Sequence, residues 1–493
     1  MTTWHQRANT LSVDGRAFIN GERCAALDLQ TLESRSPLNG RRLGTIARGQ
    51  AVDIHAAVMA ARAAFEDGRW ARQPPAVRKK VLMAFAEGLL AAKEELALLE
   101  TLDMGKPIRY SLSIDVPAAA QCLAWYAEAI DKVYGQIAPT AHHSLALVQR
   151  EPVGVVGALV PWSYPLVMSA WKIAPALAAG NSVVLKPSEK SSYTAMRMAE
   201  IAVQAGLPAG VFNVVPGYGF EAGEALAMHM QVDALALTGS ARTGRRLLEY
   251  AGRSNLKRIY NELGGKSALI VFPDCADLDL AARTAAAAMF FNQGESCNAP
   301  SRVLVHQSIA DAFVTRLAAE TPRYAPGDPL EERTVMGALV DEPQMNLVLG
   351  HIEAGRAEGA QLIVGGRQAR LASGGYYVEP TIFDHTHMGM KVASEEIFGP
   401  VMSVLRFKDE AEAIALANAT TYGLQASVWT QNLNRAHRMA GALRAGTVHV
   451  NQYDEDDMTV PFGGYKQSGN GRDKSLHALE KYTELKTTWL RFN

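Results

Sequence analysis

The chain has 493 residues, of which 48% are hydrophobic, so it can bury sizeable cores and is expected to form two or three domains. Lys and Arg (49) nearly balance Asp and Glu (50), which argues against recruitment by nucleic acid or an anionic membrane surface. The N-terminal residues show no apolar run of signal-peptide length, and no later stretch offers the roughly 18 consecutive apolar residues of a membrane span. We therefore expect a cytoplasmic protein whose partners are small molecules or copies of itself.

Cysteine and histidine spacing gives no sign of a metal site. The cysteines Cys24, Cys122, Cys275 and Cys297 match neither a disulfide framework nor a CxxC pattern, and the 12 histidines show no HExxH spacing. We expect reduced thiols and no bound metal.

The first 150 residues are mostly helical in pattern. After a hairpin-like segment at 17–23, apolar residues recur every three or four positions over 52–72 and 76–104, and a third helix is predicted over 115–130. Residues 133–150 then become extended and alternating, as in an arm or a hairpin.

From residue 151 onward, strands and helices alternate. Such alternation predicts a doubly wound parallel sheet. A second series begins at 267–272 and runs to about residue 450, predicting a second α/β domain, and the tail after Gly471 carries a short helix and a final strand. The strands predicted for the first sheet lie at 153–160, 182–187, 212–217, 234–239 and 256–263.

Cys297 is the candidate nucleophile. It lies in the stretch FFNQGESCNAP (290–300), between an Ala-rich helical run and the strand-like RVLVH, so a tight loop is predicted there. A thiolate is the most nucleophilic protein group and needs only a small pocket and a proton acceptor. The alternative is a buried, inert cysteine, which is the commoner fate of a free thiol.

Two strand ends in the first sheet are candidate phosphate and ribose sites. In TGSARTG (238–244) a strand runs into a helix through small residues, so backbone amides and the helix dipole would face a pyrophosphate. In LKPSE, Lys186 and Glu189 leave the end of a strand where both would reach ribose hydroxyls. A glutamate there would repel the extra phosphate of NADP, which favours NAD. An ordinary turn and a solvated charged loop are the alternatives.

Glu262 is the candidate general base. It ends a strand immediately before Gly264 and Gly265, which leave its carboxylate room to swing between two steps. The alternative is a strand-end glutamate in a surface salt bridge.

Seven short motifs occur together in a characteristic order: PWSYP, LKPSE, TGS followed by Gly244, NELGGK, NQGESC, EEIFGP and PFGGYKQSG. In these motifs, and over essentially its whole length, the chain resembles the NAD(P)-dependent aldehyde dehydrogenase superfamily. Residues 457–486, together with ELALLETLDMGKPI, look most like the bacterial branch that oxidises γ-glutamyl-γ-aminobutyraldehyde and 4-guanidinobutyraldehyde.

The resemblance implies an α/β, aldehyde dehydrogenase-like fold in three parts. A Rossmann-type NAD-binding domain would comprise 1–130 and 151–263, and an α/β catalytic domain 264–470. A β oligomerisation arm, comprising 131–150 and 471–493, would add a strand to a neighbour's sheet in a homodimer or homotetramer.

The resemblance also implies residue roles. Cys297 would add to the aldehyde, the thiohemiacetal would pass hydride to the nicotinamide, and water activated by Glu262 would hydrolyse the thioester. Ser163 and Lys172 match further catalytic positions. The matching cofactor-binding positions are Trp162, Lys186, Ser188, Glu189, Gly219, Gly239, Ser240, Gly244, Leu263, Gly264, Glu396 and Phe398.

On the substrate side, the resemblance implies an apolar tunnel bordered by the loop before PFGG. That loop carries four acids in a row, Asp454 to Asp457, which would attract a cationic amino- or guanidino-aldehyde. A solvated acidic loop is the alternative. The expected tunnel residues are Tyr164, Met168, Trp171, Asp454, Asp457 and Phe462.

One position departs from the family pattern. Family members usually carry asparagine where this chain has Ser163, and the asparagine amide helps to bind the developing oxyanion. A serine hydroxyl is shorter, and loss of one such donor typically costs about 10² to 10³ in rate. The alternative function is therefore an NAD-binding paralogue with weak or no turnover; a cofactor-free hydrolase is a weaker rival, because no histidine lies near the cysteine.

Overall fold

A computed structural model describes residues 3–492 and confirms the predicted α/β fold with two large sheets. In the first sheet five strands are parallel, and an N-terminal hairpin adds two antiparallel strands at one edge. Their buried Val, Leu and Ala side chains suit a sheet covered on both faces. The order of strands is Arg258–Leu263, Ala234–Gly239, Val155–Leu159, Ser182–Lys186, Phe212–Val214, Ala17–Ile19 and Glu22–Cys24.

Helices cover this sheet. The stretch predicted as helical over 76–104 forms two helices that meet at Ala92, whose φ/ψ of −91°/14° departs from the helical values. The second of them ends at Gly105, whose φ of 90° suits glycine. The helices are Trp4–Thr10, Ala51–Glu66, Pro75–Ala91, Lys93–Met104, Ile108–Tyr110, Val116–Ala129, Pro165–Ala178, Tyr193–Gln204, Glu224–Met228 and Ala241–Arg253, with π-helical turns at Ser111–Asp115 and Gly219–Gly223.

The second sheet is parallel except for one antiparallel edge strand. Its order is Gln361–Val364, Thr381–Asp384, Val401–Phe407, Arg302–His306, Ala268–Val271, Gln425–Trp429 and Thr447–Val450. Its helices are Leu278–Phe290, Ala310–Glu320, Glu342–Ala357, Lys391–Ser394, Glu410–Asn418 and Leu433–Ala442. The predicted tail helix is a 3₁₀ segment, Leu476–Tyr482, and further 3₁₀ turns lie at Ile130–Lys132, Phe291–Gly294, Thr321–Tyr324, Leu371–Ser373 and Lys466–Ser468.

A third sheet joins the end of the chain to the extended segment predicted before residue 151. Thr483–Arg491 pairs antiparallel with Ser144–Pro152 over nine residues, and Gln136–Ala138 adds a third strand. Thr483–Arg491 lies at the edge of this sheet and exposes Trp489. Two small antiparallel pairs, Thr31–Arg35 with Arg42–Ala47 and Gln368–Ala369 with Tyr377–Val378, complete the strands.

Within residues 3–492, no helix combines the length and apolar character needed to cross a membrane.

Candidate active site

A cavity of about 1100 Å³ lies among the described residues. One end lies at the carboxyl ends of strands Ser182–Lys186 and Ala234–Gly239, which is where open parallel sheets bind ligands. Cys297 and Glu262 line the same cavity, although they lie 35 residues apart in the sequence. The strand-end motifs and the thiol therefore belong to one continuous site.

Cys297 lies on a loop that follows the 3₁₀ turn Phe291–Gly294. Asn292 and Gln293 in that turn adopt left-handed conformations, with φ of 49° and 60°. The Asn292 side-chain amide donates to the backbone oxygens of Ser163 and Glu295, at 2.9 Å in each case. This fully buried amide fixes the Cys297 loop against the turn that carries Ser163, and Ser163 lines the cavity.

The Cys297 thiol is half-buried on the cavity wall. Burial raises its pKa well above the usual range, and the nearby Glu262 and Glu396 carboxylates raise it further because they disfavour a thiolate. The thiol is therefore protonated in this state, so attack on a carbonyl carbon requires transfer of its proton to a neighbouring base.

Glu262 ends strand Arg258–Leu263 and is 2% exposed. Its carboxylate lies beside the Thr238 hydroxyl and the Cys297 thiol, yet neither carboxylate oxygen has a hydrogen-bond partner of good geometry among residues 3–492. Burial raises the pKa of Glu262 to about 8, and the positive charge of Lys172 opposes that rise. A buried carboxylate near neutral pKa, beside a thiol, is suited to accept a proton.

Lys172, which was predicted to be catalytic, is not among the residues that line the cavity. Its charge acts on Glu262 instead. Lys172 projects from helix Pro165–Ala178, and its Nζ donates to Oδ2 of Asp473 at 2.5 Å. Lys481 donates to the other oxygen of the same carboxylate. The two lysines hold the pKa of Asp473 below its usual range despite its burial, so Asp473 remains charged.

Glu396 and Phe398 lie across the cavity from the first sheet. The Glu396 carboxylate accepts a hydrogen bond from the backbone N–H of Gly265 at 2.9 Å, and burial raises its pKa to about 7. Phe398, which adopts a left-handed φ of 58°, packs edge-on against Trp162 with ring centroids 5.2 Å apart. Both aromatic rings line the cavity.

The far end of the cavity has the polar groups expected of a ribose and phosphate site. Lys186 is buried, and its Nζ lies 3.4 Å from the Glu189 carboxylate. Ser240 caps the 13-residue helix Ala241–Arg253, so that helix begins at the cavity wall. Ser188, Gly219 and Gly239 also line this end.

Gly244 and Leu263, which were expected to bind cofactor, lie outside the cavity wall. A Cβ on Gly244 would lie 3.0 Å from Cδ1 of Leu263 and 3.2 Å from Nδ2 of Asn261. These two residues form part of the close packing of helix Ala241–Arg253 on strand Arg258–Leu263, which positions the N-terminus of the helix at the cavity.

A hydrogen-bonded chain of side chains borders the thiol on the substrate side. The Tyr164 hydroxyl donates to Ser296 Oγ at 3.0 Å, and Ser296 Oγ donates to Asn298 Oδ1 at 2.7 Å. Asn298 Nδ2 and Gln425 Nε2 then donate to Asp454 Oδ1, at 2.6 and 3.1 Å. Because the Tyr164 hydroxyl is bound to Ser296, it is not free to replace the missing asparagine amide at position 163.

The acidic run does not act as one uniform patch. Asp454, Glu455 and Asp456 line the cavity, and Asp456 forms an ion pair with the buried Lys474. Asp457 lies outside the cavity wall, where its Oδ1 accepts hydrogen bonds from the backbone and hydroxyl of Thr459. Of the residues predicted for the apolar tunnel, Tyr164, Met168, Trp171 and Phe462 line the cavity, with the Trp171 and Phe462 ring centroids 5.2 Å apart.

Several residues of the site were not found from the sequence. Asn298 follows the cysteine directly, so its position next to the thiol was a usable signal. Asn292, Asp473 and Gln425 gave no such signal, because each contacts a site residue that lies 127 to 301 residues away in the chain, namely Ser163, Lys172 and Asn298.

Comparison with known proteins places this site in a family. The model of the aldehyde dehydrogenase family matches residues 25–488. NADP/NAD-dependent aldehyde dehydrogenase PuuC of Escherichia coli (strain K12) is 54% identical over 99% of this chain and 98% of its own.

Two solved structures have a TM-score of 0.98 and 56% identity over 99% of both chains. One is gamma-glutamyl-gamma-aminobutyraldehyde dehydrogenase from Burkholderia cenocepacia J2315. The other is the indole-3-acetaldehyde dehydrogenase AldA of P. syringae in complex with NAD+ and IAA.

These matches cover the cavity, the cysteine loop and both large sheets. They do not favour the alternative of a paralogue without turnover. The chain belongs to the aldehyde dehydrogenase family and is an NAD-dependent enzyme that oxidises aldehydes.

Proposed function

We propose that the chain oxidises an ω-amino or ω-guanidino aldehyde from amine or polyamine breakdown to its carboxylic acid. The observation that carries this proposal is the pair Asp454 and Glu455 on the cavity wall beside the tunnel. Their carboxylates attract a cationic end group while the apolar wall accepts the methylene chain. The Burkholderia relative is a γ-glutamyl-γ-aminobutyraldehyde dehydrogenase, whose aldehyde is derived from an amine, whereas AldA is an indole-3-acetaldehyde dehydrogenase, whose aldehyde is neutral.

Cys297 is assigned as the nucleophile. Its sulfur forms a bond to the aldehyde carbon, and its proton passes to a neighbouring base. The carbonyl oxygen takes up negative charge in this step. Ser163 lines the cavity wall, and its hydroxyl is a shorter donor to that oxygen than an asparagine amide at the same position. The Asn292–Ser163 and Tyr164–Ser296 hydrogen bonds hold the loop that carries Cys297 against the turn that carries Ser163.

Glu262 is assigned as the base that activates water for hydrolysis of the Cys297 thioester. Water gives its proton to the carboxylate while its oxygen bonds to the thioester carbon, and the carbon–sulfur bond breaks. Lys172, through Asp473, acts as a positioning residue behind Glu262.

The cavity fits NAD. A helix N-terminus, a buried lysine paired with a glutamate and two aromatic rings line it, and the Thr238 hydroxyl on its wall is buried without a partner among residues 3–492. Lys186 and Glu189 would hold the adenosine ribose, Ser240 the pyrophosphate, and Glu396 the nicotinamide ribose. NAD, when bound, supplies the hydride acceptor. The preference for NAD over NADP rests on Glu189 and stays a prediction.

The third sheet is assigned as an oligomerisation arm. Its nine-residue edge strand Thr483–Arg491 leaves backbone groups unpaired within the described chain and exposes Leu485, Trp489 and Leu490, which suits pairing with a second copy. A homodimer or homotetramer, the three-domain division and the cytoplasmic location stay predictions.

The test is NADH formation with 3-aminopropionaldehyde, 4-guanidinobutyraldehyde and butyraldehyde. Wild type is expected to show a higher kcat/KM for the two cationic aldehydes, and Cys297→Ala is expected to form no NADH. Equal kcat/KM for butyraldehyde would contradict the substrate class, and full activity of Cys297→Ala would contradict the assigned nucleophile.

A further inference from the structure

Lys481 shares the Asp473 carboxylate with Lys172. Lys172 Nζ donates to Oδ2, and Lys481 Nζ donates to Oδ1. The three side chains are at most 5% exposed. Burial lowers the pKa of Lys481 to about 8. Below that pH one carboxylate balances only one of two ammonium groups, so the buried cluster carries one positive charge in excess.

The charged and titratable groups around the cluster come from four elements. These groups are Tyr260 and Glu262 on strand Arg258–Leu263, Lys172 on helix Pro165–Ala178, Cys122 and Tyr126 on helix Val116–Ala129, and Asp473, Lys474, Lys481 and Tyr482 on the C-terminal segment. Lys474 is already paired with Asp456. Glu262 is therefore the carboxylate that faces the excess charge without a partner of its own.

Close backbone packing places Lys481 near Glu262. A Cβ on Gly469 would lie 2.1 Å from the Asn261 oxygen and 3.3 Å from Cα of Glu262. A Cβ on Gly471 would lie 3.3 Å from Cβ of Tyr260 and 3.6 Å from Cδ of Lys481. These glycines let the C-terminal segment run against the strand that carries Glu262, so the Lys481 stem lies beside that strand.

We propose that Lys481 is a positioning residue for the deacylation step, whose ammonium group leaves the Lys172–Asp473 pair with a net positive charge and thereby favours the ionised form of Glu262. The inference rests on the assignment of Glu262 as the water-activating base. Without Lys481, Asp473 would neutralise Lys172, and the opposing effect of Lys172 on the pKa of Glu262 would be reduced. A larger fraction of Glu262 would then be protonated and unable to accept the proton of water.

The proposal is tested by the pH dependence of p-nitrophenyl acetate hydrolysis, which acylates Cys297 and requires no NAD. The acid limb is the part of the pH–rate profile in which turnover rises with pH as Glu262 loses its proton. In Lys481→Met the midpoint of the acid limb is expected to shift to a higher pH by roughly half to one unit. At pH values below the limb this corresponds to a rate about 3- to 10-fold lower, and the two enzymes are expected to converge at high pH. Lys481→Arg keeps the charge and is expected to retain the wild-type limb.

Lys257→Met is the matched control. Lys257 is also buried, but its Nζ donates to Ala227 O and Ser254 Oγ, away from Glu262. Its removal is expected to leave the acid limb in place. If Lys481→Met does not fold, Lys481→Gln provides the same comparison.

The inference is overturned if the acid limb of Lys481→Met matches that of wild type. It is also overturned if the rate of Lys481→Met falls by the same factor at all pH values, which is the result expected of a purely structural role. Glu262→Gln distinguishes this failure from failure of the base assignment. If Glu262→Gln retains turnover and the acid limb, Glu262 is not the base; if it loses turnover while the limb of Lys481→Met stays in place, only the role of Lys481 is wrong.

Discussion

The Glu396 carboxylate occupies the space that a side chain at position 264 would need. A Cβ on Gly264 would lie 2.1 Å from Oε2 and 2.3 Å from Oε1 of Glu396. Gly264 thus lets the carboxylate reach the backbone N–H of Gly265 and remain on the cavity wall.

Gly264→Ala is expected to displace Glu396 and weaken NAD binding about tenfold or more, because the new methyl group and the carboxylate cannot occupy the same space. The measurement is the NAD dissociation constant from quenching of protein fluorescence. Gly252→Ala is the control, since no atom lies within 4 Å of a Cβ placed there. Unchanged NAD affinity in Gly264→Ala would show that Glu396 does not help to hold the cofactor.

Ser163→Asn is expected to raise kcat by about tenfold or more with little change in KM. The longer amide would donate to the developing oxyanion, whereas Tyr164 cannot because its hydroxyl is bound to Ser296. Steady-state NADH formation measures the change, and Tyr164→Phe serves as the companion variant. A lower or unchanged kcat in Ser163→Asn would indicate that the serine hydroxyl already meets the oxyanion.

Glu262→Gln is expected to stabilise the folded protein, and more so at high pH. The pKa of Glu262 is about 8 in the folded protein and 4.5 in the unfolded reference, so between these values the folded state binds the additional proton. The contribution of Glu262 to the free energy of unfolding therefore decreases as pH rises from about 4.5 to about 8. Glutamine does not ionise, so the variant does not show this decrease. The difference in Tm between the two proteins, measured at about pH 5 and pH 9, should be larger at pH 9; equal differences would contradict the raised pKa.

Glu455→Gln is expected to raise KM for 3-aminopropionaldehyde several-fold and to leave KM for butyraldehyde unchanged. The carboxylate lines the cavity and attracts only the charged substrate, so added salt should narrow the difference. Asp457→Asn is the matched control, because Asp457 lies outside the cavity and accepts from Thr459. A similar rise in KM for both aldehydes would point to a change in loop shape instead of charge.

The sequence pattern predicted the first sheet well, because buried parallel strands such as 155–159 and 182–186 are continuous apolar runs with clear turn signals. It also predicted that Cys297 lies in a loop. The break at Ala92 was not visible, since the apolar period continues through residues 89–96 and that stretch contains neither glycine nor proline.

The site was less predictable than the fold. Residue type pointed to Glu262 and Cys297 as candidates, but the charges that act on Glu262 come from Lys172 and Asp473. Asp473 reaches the site because its segment packs against the strand of Glu262 at Gly469 and Gly471. The same limit applies to Asp457: four consecutive acids look equivalent in the sequence, and the loop backbone directs this one away from the cavity.

The central claim is that a thioester on Cys297 is hydrolysed by water activated by Glu262. The most direct test is mass spectrometry of Glu262→Gln after mixing with aldehyde and NAD. The account predicts one equivalent of NADH followed by arrest, and an acyl adduct on the peptide that contains Cys297. Continued turnover in Glu262→Gln, or an arrested enzyme without an adduct on Cys297, would contradict it.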